Sequence, residues 1–123
     1  MALKVVYWVS TTLTAVMLVF AVSYLTGNEQ AVTGFQHLGY PQHLRVVLGV
    51  AKPAAGLVIL LPGLRRLKEW AYAGAAFALS MAFVAHWQAG DGAIAFMPLV
   101  LLALLVVSYL TRPPSRRLAV PAA

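Results

Sequence analysis

Cysteine is absent from the 123 residues, which excludes disulfide exchange, thiolate nucleophiles, iron–sulfur clusters and Cys-ligated zinc within this chain. Charge is scarce as well. Charged residues make up 10% of the sequence and only three are acids, Glu29, Glu69 and Asp91, whereas soluble chains carry about 25% charged residues. A soluble globule of this length would lack the polar groups to cover its surface. Also missing are a Gly-x-Ser-x-Gly elbow, a P-loop, a dinucleotide-binding glycine turn and paired carboxylates, so a conventional hydrolase or kinase is not expected.

What is present is apolar. Hydrophobic residues make up 62% of the chain, a composition that reads as an integral membrane protein of one domain. Four runs stand out, Val5–Leu25, His43–Leu61, Trp70–Trp87 and Ala93–Thr111. Each is close to the roughly 20 residues that cross about 30 Å of hydrocarbon as a helix. Backbone groups in lipid must be satisfied within the segment, so the expected fold is an all-α, four-helix transmembrane bundle over residues 1-112. Ala21-Val22-Ser23 superficially resembles a signal-peptide cleavage site, but the run before it is longer than a usual signal core and Lys4 is a weak basic flank. After Thr111, the Arg112-Pro113-Pro114-Ser115-Arg116-Arg117 stretch cannot continue a helix, and 113-123 is expected to be a disordered basic tail.

The formal net charge is +6, and its distribution points to membrane orientation rather than to nucleic acid, which is not an expected partner. Lys4, Arg65, Arg66, Lys68, Arg112, Arg116 and Arg117 fall at one end of the four runs; only Arg45 falls at the other, with Lys52 inside the second run. The positive-inside rule therefore predicts a multi-pass protein with both termini in the cytoplasm. Tyr7, Trp8, Trp70, Tyr72 and Tyr109 are expected in an aromatic belt at the cytoplasmic face, with Tyr24, Tyr40 and Trp87 at the outer face. In the outer loop, Asn28 can cap a short amphipathic helix that Gly39 and Pro41 stop. In the 2–3 loop, Arg65 and Glu69 are spaced to pair if the turn is helical. Ala71, Ala75, Ala78, Ala82 and Ala85 form a small-residue stripe suited to close helix packing. The Leu- and Val-rich fourth run reads as a wall facing lipid or another copy in a homo-oligomer.

Lys52 is the most informative residue. It lies mid-helix, near the bilayer centre, where a lysine costs about 2.5–3.5 kcal/mol on insertion scales and should face inward towards a partner. Pro53 removes a backbone donor and frees the carbonyl of Gly49. Gly49 and Gly56 share the stripe and are expected to leave a small void beside the ammonium. No acid lies within any helix core. The partner is therefore a hydroxyl such as Ser80 or Thr14, a carbonyl, a group reached through a polar outer vestibule, or a ligand. A second group, His86 and Asp91 with His37, Tyr40, His43 and Arg45, gathers at the outer end. It lacks metal-ligand spacing, so no metal is expected; a polar rim or a proton relay is.

The order of motifs completes the reading. Phe35-Gln36-His37-Leu38-Gly39-Tyr40-Pro41, Leu48-Gly49-Val50-Ala51-Lys52, Leu61-Pro62-Gly63 and Leu67-Lys68-Glu69-Trp70-Ala71-Tyr72-Ala73-Gly74, followed by His86, Gly90-Asp91-Gly92, Pro98 and Ser108-Tyr109, resemble the DoxX-like family over nearly the whole chain. That resemblance implies a small protein of the bacterial inner membrane, mostly without assigned activity. Relatives in the wider group are associated with quinone-linked sulfur oxidation and with membrane oxidoreductase complexes. Ala85 before His86 and Pro53 after Lys52 depart from the family pattern.

Two functions are consistent with these residues. One is a non-catalytic subunit or binder of a small molecule such as a quinone, supporting redox or stress functions with membrane-associated redox partner proteins; Lys52 and the His86–Asp91 rim would shape its pocket. The other is an interaction or small-molecule transport module with no redox role.

Overall fold

The computed structural model describes residues 1–118. Among these the chain is all-helical: α1 (Ala2–Phe20), α2 (Glu29–His37), α3 (Gln42–Leu60), α4 (Arg65–Gln88) and α5 (Met97–Leu110), with 3-10 segments at Ala21–Thr26, Gly92–Phe96 and Pro114–Arg116. Three stretches are long and apolar enough to cross a membrane: Ala2–Thr26, Gln42–Leu60 and Gly92–Leu110. Although α4 is the longest helix at 24 residues, it is not among them. Its first five residues include Arg65, Arg66, Lys68 and Glu69.

Helix α1 packs on α3 and α5, and α4 packs on the same two. Leu18, Ile59, Ala71, Tyr72, Ala75, Leu79 and Leu105 fill the centre. Outside this core, Phe20, Trp70 and Phe77 are more than two-thirds exposed. Large apolar side chains pointing outward all round suit a hydrocarbon solvent. The alanine stripe faces inward, with Ala71, Ala75 and Ala85 buried.

Local chemistry explains the helix ends. Asn28 caps α2 by accepting from the Ala31 amide at 2.8 Å, and Gly39, at φ +77, ends the turn beyond it as only glycine does without strain. Helix α4 begins five residues before the apolar stretch that announces it, because the turn at Pro62-Gly63 closes on Leu64 in the left-handed region. The last run opens as a 3-10 segment and becomes α-helical only at Met97. Pro98 occupies the first turn of α5, where its missing N–H costs nothing.

Several expectations are corrected. Arg65 does not pair with Glu69; its Nε donates to the Ser115 carbonyl at 2.9 Å. Tyr7 and Tyr72 are buried rather than set in an aromatic belt, because each hydroxyl finds a polar partner inside. The expected tail is docked at its start. Arg116 is buried; its Nε donates to the Tyr7 hydroxyl at 2.7 Å and its Nη2 to the carbonyls of Ile59, Leu60 and Leu61. The end of α3 presents carbonyls without intrahelical donors, and a guanidinium satisfies several at once. Residues 119–123 of the expected tail lie outside the described residues.

Gly49 and Gly56 leave no void, because α1 and the 3-10 segment after it fill the space. A Cβ at Gly56 would lie 2.9 Å from Val19 Cγ2 and 3.0 Å from the Ala15 carbonyl oxygen, and one at Gly49 would lie 2.9 Å from Leu25 Cδ2. Both glycines are contact points between helices.

Candidate functional site

Lys52 sits halfway along α3, which continues as a helix through Pro53. Its Nζ lies 5.6 Å from the centre of the Tyr24 ring, a cation–π contact worth about 0.5–2 kcal/mol. Lys52 also lines a cleft of about 360 Å³ between α3 and α4, together with Leu48, Ala51, Ala55, Leu67, Trp70 and Ala75 among others. The alanine stripe provides that space: small side chains on α4 leave room that larger ones would occupy. A second, smaller cavity of about 110 Å³ adjoins Lys52 on the α1 side, lined by Thr14, Met17, Leu18, Tyr24, Leu79 and Leu101. Lys52 and Leu18 belong to both.

Of the hydroxyls expected near Lys52, Thr14 is there and Ser80 is not. Ser80 donates to the Ala76 carbonyl at 2.8 Å and faces a shallow cleft with Tyr40, Met81 and Gln88. Tyr40 donates to the Met81 carbonyl at 3.1 Å, and burial pushes its phenol pKa up.

His37, His86 and Asp91 form a separate cluster. His37 Nε2 lies 2.6 Å from Asp91 Oδ1, and His86 Nδ1 lies 2.6 Å from Oδ2. The two hydrogen bonds, from His37 first and then His86, hold the Asp91 carboxyl below the usual carboxylate range. The cluster ties α2 to the end of α4. Its residues are not among those lining the two Lys52 cavities. No metal-holding group of His, Asp and Glu occurs among the described residues. His43 stays outside the cluster. Arg45 donates to the Tyr24 carbonyl and to Gln42 Oε1.

At the other end lies a polar network that sequence reasoning did not anticipate. Tyr72 Oη is 2.7 Å from Ser108 Oγ, which is 2.5 Å from Thr11 Oγ1. Glu69 pairs with Arg112 at 2.8 Å and accepts from the Tyr109 hydroxyl at 2.9 Å. Lys68, fully buried, donates to the Val58 carbonyl at 2.5 Å and to that of Leu61. With Arg116 it gives α3 two cations at its C-terminal end, where the helix dipole favours positive charge. The only sequence signal for this network was the count of basic residues near Pro62-Gly63.

No curated protein and no solved structure matches the chain. The model of the DoxX-like family matches residues 8–108, a stretch that includes Thr14, Lys52, His86 and Asp91. The chain belongs to the DoxX-like family, and its apolar helices are those of a membrane protein.

Proposed function

We propose that the protein is a non-catalytic membrane subunit or carrier that holds a small, largely apolar molecule bearing an acceptor oxygen against Lys52, with quinones as the candidate class. One observation carries this reading: Lys52, mid-span and with an ammonium that has no hydrogen-bond or ion-pair partner among the described residues, lines an otherwise apolar cleft. Intramembrane charge of this kind marks a candidate functional site. A cleft of about 360 Å³ falls within the usual range for ligand pockets. A quinone ring would lie between Leu48, Ala51, Trp70 and Ala75, and Lys52 would donate to its carbonyl; bound quinone would supply electron-carrying capacity that these side chains lack. Redox partners in the membrane would then perform the catalysis.

The same reading makes the protein a four-helix bundle of the bacterial inner membrane, with α4 as the fourth crossing and both termini in the cytoplasm. Its support is the gathering of Lys4, Arg65, Arg66, Lys68, Arg112, Arg116 and Arg117 at one end. Cysteines introduced singly at Gly34, Arg66 and Gly90 test the topology against a background free of native thiols. Labelling of Arg66→Cys from the periplasm would refute it. For the ligand, a short-chain quinone should quench Trp70 saturably in wild type and not in Lys52→Met. Equal quenching in both would remove Lys52 from the site.

A further inference from the structure

We infer that the Lys52 site takes a lipophilic carboxylate, with the two-oxygen anionic head between Lys52 and Thr14 and the tail in the α3–α4 cleft. This rests on the reading that the Lys52 cavities hold a ligand, and it specifies the ligand's head.

The first ground is charge. Of the three acids, Asp91 is engaged by His37 and His86, Glu69 is engaged by Arg112 and Tyr109, and Glu29 is exposed at the start of α2. No carboxylate among the described residues faces Lys52. An ammonium withdrawn from water is costly unless a counter-charge accompanies it. A neutral acceptor leaves that charge uncompensated, and a carboxylate compensates it.

The second ground is Thr14. Hydroxyls within helices can satisfy themselves on the carbonyl four residues back; here Ser10, Thr33 and Ser80 do so, and Thr11 and Ser108 bond each other. Thr14 does neither. It is 3% exposed, and its Oγ1 is the one buried side-chain polar atom without a hydrogen-bond partner among the described residues. Thr14 lines the smaller cavity together with Lys52. A hydroxyl and an ammonium on one cavity provide two donors, the complement of the two oxygens of a carboxylate.

Size is the third ground. A cavity of about 150 Å³ binds benzene; the inner cavity, about 110 Å³, is smaller than that and suits a carboxylate head better than a quinone ring. The larger cleft has an almost wholly apolar wall, which suits an alkyl chain. Lys52 stands where the two meet.

The test uses the full chain in detergent with Trp8→Phe and Trp87→Phe, so that Trp70, on the wall of the larger cleft, is the one reporter. Undecanoate brominated at its tail end is titrated above the carboxyl pH range, alongside the corresponding brominated alcohol and a short-chain quinone. Saturable quenching by the acid at least about tenfold tighter than by the alcohol is expected. Thr14→Val should weaken the acid about tenfold, as for loss of one hydrogen bond to a charged group, while Thr14→Ser, which keeps the hydroxyl, retains it. Lys52→Met should bring the acid to the level of the alcohol. Equal affinity for acid and alcohol, or Thr14→Val matching wild type, overturns the carboxylate assignment. If the quinone alone binds in a Lys52-dependent way, the carboxylate fails and the Lys52 site stands. If none of the three quenches saturably, both fail.

Discussion

Thr11 and Ser108 are separated by 97 positions in the chain, yet their hydroxyl oxygens lie 2.5 Å apart in the buried interior. This contact fastens α1 to α5, and Tyr72 brings α4 to the same point through its own bond to Ser108. In a lipid environment, where apolar helices gain little by hiding from the solvent, such bonds and close packing set which helix meets which.

Ser108→Ala is therefore expected to destabilise the bundle by about 1–3 kcal/mol, because it leaves the hydroxyls of Thr11 and Tyr72 buried with one partner fewer. Unfolding in mixed micelles by increasing SDS checks this. Ser108→Thr, which keeps the hydroxyl, should lose less, and an unchanged transition for Ser108→Ala would show that the network contributes no stability.

Arg116→Ala should cost roughly 1–3 kcal/mol by the same measurement, since the Tyr7 hydroxyl and the carbonyls ending α3 lose a charged donor. Hydrogen exchange should rise at the end of α3 in this variant. Wild-type exchange there would mean that the docked segment is dispensable.

Gly56→Ala brings a methyl group to 3.0 Å from the backbone oxygen of Ala15. Backbone cannot swing aside as a side-chain tip can, so a loss of about 1–3 kcal/mol is expected. Gly74→Ala has open space around its Cβ and serves as the control; a larger loss there than at Gly56 would contradict the packing described.

The Asp91 cluster should respond to acid in one direction. Its carboxyl is held below the usual range by His37 and His86. The stabilisation is therefore present above the unfolded carboxyl pKa and is lost as pH falls through the lowered folded value. Amide exchange in α2 should stay low through the ordinary carboxylate range and rise below it, while Asp91→Asn should show raised exchange already at neutral pH. Matching α2 protection in the two proteins at neutral pH would show that the cluster does not hold α2.

Features that rest on neighbours in sequence were legible before the structure. Asn28 announces the start of α2, Gly39 its end, and Lys52 inside an apolar run marks an intramembrane charge. What stayed hidden depends on long-range contact. The basic stretch after Arg112 has a tail-like composition, and only the carbonyls at the end of α3 make Arg116 a docked residue. Likewise, Gly49 and Gly56 mark a small face in sequence, and only the path of α1 decides that it is filled. Ser80 and Thr14 are similar in composition and burial potential; helix rotation puts one on a shallow outer cleft and the other beside Lys52.

On the proposed function, Lys52 anchors a ligand rather than the fold. Replacing it by Met removes a charge that costs about 2.5–3.5 kcal/mol to insert, so membrane insertion should be at least as efficient as in wild type. The direct measurement is native mass spectrometry of wild type and Lys52→Met, each purified from membranes and each extracted for small molecules. One small amphipathic molecule per chain is expected on wild type, absent from an equally well inserted Lys52→Met. The same molecule at the same occupancy on both proteins would contradict the proposed function.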